Sequence, residues 1–476
     1  MAKIAILGFG TVGSGVYEVL CRNAAGVSRR AGEPVEVKYI LDPKDFSNHP
    51  AAHLFVKNFD TILEDPEIKV VVETIGGTRF AYPYVKACLE SGRSVCTSNK
   101  EMVATYGAEL LGLAKAHNCA FLFEASVGGG IPIIRPMLQC LAANEFNQIC
   151  GILNGTTNYI LTRMIKAGLT FEQALKEAQE NGYAERDPSA DVDGHDACRK
   201  ICILAALAFG QHVYPDQVPT QGIRGVTLAD VAYADSCGYK IKLLGRAIRE
   251  GEGKLCAFVA PHLVPASNPL SGVEDVFNAI SVTGNAIGDV MFYGRGAGKL
   301  PTASAVVADV IDIAKDLKTA RCAVWGPGSR DLVVSSDILS SRWYVRGTAS
   351  MDKVRAAFGE ISPLARGGAP AGETAFLTAP MSPRSGPGWR GWSSTPLSGC
   401  WSEERRRHRM VCRVLRADRE LTFRGKQIYG IDRTKIRRQL RRRHGPHPEC
   451  GPDHHGDISQ RKQRGGGPVR PGGHHR

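Results

Sequence analysis

The chain has 476 residues, room for about three domains, and 43% of them are hydrophobic, an ordinary share for a globular protein. Its longest apolar run, ICILAALAF, is nine residues against the roughly 20 needed to span a bilayer, and its fourteen cysteines lack C-x-x-C pairs. A membrane-spanning helix is thereby excluded, and the scattered cysteines suit reduced thiols in a soluble, cytoplasmic protein better than a disulfide framework or a zinc site. The net charge of +13 would suit a polyanion partner, but residues 381–476 hold 20 Arg, 3 Lys and 8 acids, a net of +15, leaving the rest of the chain at −2. A body so close to neutral argues against nucleic acid.

In chain order, KIAIL (3–7) reads as a strand, followed at once by GFGTVG and a helical run from about Ser14 to Cys21. Gly8, Gly10 and Gly13 fit G-x-G-x-x-G in the strand–turn–helix context the motif requires, so Gly8, Phe9, Gly10, Thr11, Val12 and Gly13 are candidate dinucleotide contacts. The second strand, VEVKYIL (35–41), ends in Asp42, which is placed either to bond a ribose 2′-hydroxyl or to start a turn. Strands KVVVE (69–73), SVCTS (94–98) and AFLFE (120–124) then alternate with helices expected at 81–91 and 106–117. Such alternation predicts a parallel sheet with helices on both faces and ligands beyond the carboxyl ends of its strands, where Ile75, Gly76, Gly77 and Lys100 fall.

After about residue 150 the pattern changes to helices and longer strands, NGTTNYILTRMIKAG, TFEQALKEAQENG with a Thr170–Gln173 capping box, YKIKLLGRAI and KLCAFVAPHLV, which predict an α+β domain. Between them, NGYAERDPSADVDGHDACRK packs Glu185, Asp187, Asp191, Asp193 and Asp196 ahead of Lys200. A calcium loop is excluded, because Gly194 at loop position six would put Lys200 where a bidentate Glu is needed. A helix from about 194 to Gly210 puts Ala197, Ile203, Leu204 and Leu207 on the same face as Lys200, with Asp196 one turn earlier. An ammonium drawn out of water beside a carboxylate can trade protons near neutral pH, whereas an exposed pair would be an ordinary helical ion pair. Gly294, Gly296 and Gly298 then precede a helix with Pro301 near its start.

Taken together, these segments resemble the homoserine dehydrogenase family over roughly residues 1–345. The resemblance rests on Ala178, Gly182, Asp187-Pro188, Asp191, Gly194, Asp196 and Lys200, with SNKEMVA (98–104), EASVGGGIPII (124–134) and NGTTNYI (154–160) in the same order. It implies a Rossmann domain over 1–135 with a returning helix at about 301–320, and a catalytic and dimerisation domain over 136–300. It also implies NAD(P)-dependent interconversion of L-homoserine and L-aspartate 4-semialdehyde, in threonine, isoleucine and methionine biosynthesis, by a homodimer or homotetramer. Lys200 resembles the proton donor, Asp196 its orienting partner, Glu185 a substrate ligand, and Lys100 a group at the cofactor and the substrate carbonyl. Gly182 and Gly298 are carried over as cofactor contacts. Glu124, through its carboxylate, and the carbonyls of Val127, Gly129 and Ile131 resemble the family's sodium site.

The resemblance weakens beyond about 345. SRWYVRGTASMDKVRAAFGEISP (341–363) begins like a regulatory ACT domain but lacks its Asp-x-Pro-Gly-Val-Leu turn, so 340–380 is expected to be a degenerate remnant and the basic stretch 381–476 disordered. A dehydrogenase of another small amino or hydroxy acid, and an inactive dinucleotide-binding scaffold, are the alternative readings.

Overall fold

A computed structural model describes residues 1–251, 253–317, 323, 325–383 and 413–417. Its first sheet is built from β1 (Ala2–Leu7), β2 (Val35–Leu41), β3 (Phe55–Val56), β4 (Ile68–Glu73), β5 (Ser94–Thr97) and β6 (Phe121–Leu122). The connecting helices are α1 (Thr11–Arg22), α2 (Ala24–Ala31), α3 (Asp60–Leu63), α4 (Ala81–Glu90) and α5 (Lys100–Ala116). The strands are parallel throughout, in the order β3-β2-β1-β4-β5-β6, which puts a topological switch point between β1 and β4. This is a Rossmann sheet, buried on both faces, and its central strands are accordingly continuous apolar runs such as IAIL and VVV.

Periodicity predicts α5 at 106–117, yet it starts six residues earlier. Asn99 caps it by accepting from Met102 N at 3.0 Å, so Lys100 is its first residue and not a loop lysine.

The second half comprises β7 (Phe146–Ile152), α6 (Gly155–Ala167), α7 (Phe171–Glu180), α8 (Ser189–Val192), α9 (His195–Phe209), α10 (Leu228–Ser236), β8 (Tyr239–Glu250), β9 (Lys254–Pro265), β10 (Phe277–Gly284) and β11 (Gly288–Arg295). The capping box at the start of α7 is formed as its sequence predicts. Strands β7, β10 and β11 go unpredicted, because their apolar residues are interrupted by Gly, Asn and Asp, which strands seldom contain. α9 packs on β8 and β9 and fills the middle of the core with Ile201, Ile203, Leu204 and Ala205. α11 (Lys299–Lys315) then returns to the first sheet, where Ala303, Val306, Val310 and Ile313 share a core with Val16, Ile4 and Ile6. Gly15 makes this close approach possible, since a Cβ there would lie 2.8 Å from the Lys299 carbonyl.

The segment expected to be degenerate folds regularly. β12 (Arg342–Gly347), α12 (Met351–Phe358), β13 (Ile361–Leu364) and β14 (Thr374–Thr378) enclose Val345, Val354, Phe358 and Phe376. β15 (Arg413–Ala417), inside the stretch expected to be disordered, completes an antiparallel order β15-β12-β14-β13, with the first strand of the unit between its fourth and third. The missing turn motif removes none of the apolar residues that make this core. β15 also runs parallel to β9, and so joins the unit to the larger sheet. Arg416 lies over the rings of Phe258 and Trp343. Among the described residues, no helix is long and apolar enough to cross a membrane.

Arg346 on β12 is tied to α10 by a buried ion pair to Asp230 Oδ1 at 2.8 Å, to which Tyr344 Oη also donates at 3.1 Å. Asp230→Ala is expected to leave the guanidinium buried without this partner and to lower the unfolding free energy by about 3 kcal/mol in urea titrations. Asp230→Asn is expected to lose less.

Candidate active site

The switch point between β1 and β4 is shaped by glycines. Gly8 sits at φ +91°, and a Cβ on Gly13 would lie 2.0 Å from the Gly8 carbonyl oxygen, so neither position admits a side chain. A Cβ on Gly10, by contrast, would meet nothing within 4 Å, which leaves open space in front of the turn. α1 begins there with no side-chain cap and no acid in its first turn, so its free N–H groups and positive dipole end face that space. These features fit a pyrophosphate. Asp42 is buried, and its carboxylate accepts from Phe9 N at 2.7 Å and Lys44 N at 2.9 Å. It fastens the glycine turn to the end of β2, with one lone-pair direction on each oxygen left for a ribose hydroxyl.

Across the crevice, β4 ends in a residue the sequence reading did not single out. Glu73 is fully buried and accepts from Ile75 N at 2.7 Å, Gly76 N at 3.2 Å and Thr97 Oγ1 at 2.5 Å. Burial pushes its carboxyl up, and these hydrogen bonds pull it back. Thr97 Oγ1 accepts from Asn99 N at 2.9 Å, and the Asn99 amide donates to Gly77 O at 2.5 Å. One hydrogen-bonded chain therefore fixes both the Ile75–Gly77 loop and the start of α5. The only sequence signal for it was an acid directly following the apolar run Val70–Val72.

That start carries Lys100, whose ammonium meets Asp196 Oδ1 at 2.5 Å. Asp196 and Lys200 lie one turn apart on α9, both buried, and Lys200 Nζ donates to Asp196 Oδ2 at 2.8 Å and to Leu153 O at 2.7 Å. Burial pushes the Asp196 carboxyl up, but the charges of Lys200 and Lys100 together hold it below the usual carboxylate range. Burial pushes the Lys200 ammonium below its ordinary value, Asp196 opposes this, and the like charge of Lys100 adds to it. Lys100 is instead raised, chiefly by Asp196. Asn154, also absent from the sequence-derived set, donates its amide to Asp191 Oδ1 at 2.6 Å and Asp196 Oδ2 at 2.9 Å. The fold thus brings Lys100, Asp196 and Lys200 together from two halves of the chain, and β4 and β5 place the Ile75–Gly77 loop beside the start of α5.

The other candidate residues are placed as follows. Glu185 is exposed and pairs with no cation among the described residues. Gly182, at φ +72°, follows the end of α7, and Gly298, at φ +127°, precedes α11. The Glu124 carboxylate is turned toward the main chain and accepts from Ile133 N at 2.7 Å, Ile134 N at 2.9 Å and Arg135 N at 2.7 Å. Val127, Gly129 and Ile131 are buried, and among the described residues no hydrogen-bond donor reaches their carbonyl oxygens. Buried carbonyls without donors suit a hard cation. Asp309 on α11 anchors this loop, accepting from Glu124 N at 2.9 Å and Arg135 Nη2 at 2.6 Å, and burial pushes its carboxyl up to about 8.

A glycine-lined dinucleotide crevice on a 3-2-1-4-5-6 sheet, facing a buried lysine–aspartate pair, defines a nicotinamide-dependent dehydrogenase. Comparison with known proteins narrows the class. Residues 8–124 match the model of the homoserine dehydrogenase NAD binding domain, and residues 132–311 match that of homoserine dehydrogenase. Homoserine dehydrogenase of Bacillus subtilis is 39% identical over 369 residues, covering 75% of this chain and 85% of that protein. A crystal structure of homoserine dehydrogenase from Thiobacillus denitrificans aligns with TM-score 0.76 and 33% identity over 88% of this chain and 98% of that one. A hyperthermophilic archaeal homoserine dehydrogenase in complex with NADPH aligns with TM-score 0.57 and 30% identity over 67% of this chain and 99% of that one. The chain belongs to the homoserine dehydrogenase family and is an oxidoreductase.

Two substitutions test the crevice. Gly13→Ala is expected to abolish cofactor binding, measured by quenching of protein fluorescence. Glu73→Ala, which frees two loop amides, is expected to raise the KM for the dinucleotide about tenfold or more in steady-state assays.

Proposed function

We propose that in the family's reaction, oxidation of L-homoserine to L-aspartate 4-semialdehyde and its reversal, Lys200 carries the substrate proton. The observation that supports this most strongly is a lysine buried on an apolar helix face yet bonded to Asp196 and a main-chain carbonyl. Oxidation must remove a hydride from the hydroxyl-bearing carbon and a proton from its oxygen. Bound NAD or NADP supplies the hydride acceptor. The neutral Lys200 amine takes the proton, and in the reverse direction its ammonium returns it to the new alkoxide.

Asp196 orients Lys200 and offsets the cost of its charged form, while Lys100, bonded to the other carboxylate oxygen, lies toward the substrate carbonyl and the cofactor. The unpaired Glu185 carboxylate takes the substrate ammonium. Gly8 to Gly13, the Ile75–Gly76 pair, Gly182 and Gly298 border the dinucleotide. Asp42 bonds the ribose, and the NADPH complex of the archaeal relative supports use of the phosphorylated cofactor as well. The donor-free carbonyls of Val127, Gly129 and Ile131, with the Glu124 carboxylate that three loop amides hold in place, would bind a sodium ion, which would stiffen the loop that meets α11.

A second copy of the chain fits the edge strand β11, where Met291 and Tyr293 are 41% and 55% exposed beside Ile287 at 50%. The described cysteines are free thiols, in keeping with a cytoplasmic location.

Lys200→Ala is expected to lower kcat about 10²- to 10⁴-fold with cofactor affinity retained, measured by homoserine-dependent reduction of NAD⁺ and NADP⁺. Burial favours the neutral amine, so homoserine oxidation should rise with pH and level off below the ordinary lysine value of 10.5. Semialdehyde reduction should fall across the same range. A rate that stays flat with pH, or turnover that survives in Lys200→Ala, would overturn the assignment.

A further inference from the structure

We infer that Asn154 is a positioning residue for this chemistry: its side-chain amide fixes Asp196 on Lys200 while holding a second, half-buried acid, Asp191, in place beside the pair. The inference rests on the reading of Lys200 as the proton carrier.

Asn154 stands between β7 and α6, only 5% exposed, and every polar atom of its side chain is used. Its Oδ1 accepts from Thr157 N at 2.8 Å and Thr157 Oγ1 at 2.9 Å, capping α6. Its two amide hydrogens go to different acids, Asp191 Oδ1 at 2.6 Å on α8 and Asp196 Oδ2 at 2.9 Å on α9. The carbonyl of the preceding residue, Leu153, accepts from Lys200 Nζ at 2.7 Å. Two consecutive residues at the β7–α6 junction therefore hold the ammonium, one directly and one through its carboxylate.

Capping alone would be served equally by Ser, Thr or Asp. Serine offers one O–H where two carboxylates need donors, and aspartate offers no donor and adds a third negative charge. Among the cap residues, only an asparagine accepts from the helix and donates twice. The charges facing Lys200 are Asp196 on its own helix, Lys100 on α5 and Asp191 on α8, two acids balancing two ammoniums. Among the described residues, Asn154 gives Asp191 its only side-chain hydrogen bond. Without that bond Asp191 is free to turn toward Lys200, which would stabilise the ammonium and leave Asp196 shared between two competing geometries.

The test compares Asn154→Ser and Asn154→Asp with wild type and Lys200→Ala, using the full chain, homoserine and each dinucleotide. The readouts are kcat and KM across pH together with the thermal midpoint. Both substitutions keep a residue able to cap α6, so the change in kcat and in pH profile should exceed what any fall in the midpoint accounts for. Asn154→Ser is expected to lower kcat about ten- to a hundredfold with the dinucleotide KM unchanged. In Asn154→Asp, the rise of homoserine oxidation with pH should move upward by about one unit, because the added carboxylate stabilises the ammonium.

Wild-type kcat and an unshifted pH profile in both variants would overturn the inference. So would a fall in activity that follows a lowered midpoint without any pH shift, since that would mark Asn154 as a cap only. If Asn154→Ser fails to fold, the pH shift in Asn154→Asp decides. An active Lys200→Ala would remove the proton carrier and the inference with it, an outcome distinguishable from inactive Lys200→Ala beside unaffected Asn154 variants.

Discussion

An ammonium and a carboxylate taken out of water together, Lys200 and Asp196 on one turn of α9, impose a demand that much of the surrounding fold meets. Either group alone would be costly to bury, and the pair is tolerable only when the remaining hydrogen-bonding capacity is satisfied. The Leu153 carbonyl, the Asn154 amide and Lys100 each serve that need. Two of the three come from the β7–α6 junction and the third from the first sheet's α5. The pair is therefore complete only when both halves of the chain are folded against each other.

The same constraint explains how cofactor and proton chemistry share one crevice. Glu73 closes β4 with a buried carboxylate whose bonds run to the Ile75–Gly76 amides and, through Thr97, to the cap of α5. A displacement of the loop would be felt at Lys100, and so at Asp196. On the other side, Asp309 ties α11 to the loop of Glu124 and Arg135, while Gly15 lets α11 lie against α1. The returning helix thereby fixes the first sheet relative to the loop that precedes the second half.

The unit built from β12 to β15 shows what a turn signature leaves undecided. A segment can lack that signature and still fold, because folding is decided by whether apolar residues recur at positions that can face a common core. Val345, Val354, Phe358 and Phe376 do. A five-residue strand in an arginine-rich stretch has too short a pattern to register, and β15 is recognisable only because β9 and β12 offer it edges.

What the sequence determined by itself was whatever depends on local spacing. The glycine turn after β1, the capping box of α7, the glycines that bound α9, and the placement of Lys200 on an apolar face one turn from Asp196 all follow from residues within a few positions of each other. The tertiary structure decided what depends on distant segments meeting. Lys100 lies 96 positions from Asp196 in sequence, and Asn154 lies 42. No local pattern can report that Asn154 bridges two acids, that Glu73 is tied to Thr97 on the neighbouring strand, or that Asp42 reaches the Phe9 amide. Hydrogen bonds of this kind are chosen by the packing of whole elements, because a buried polar group takes whichever partner the fold brings within reach.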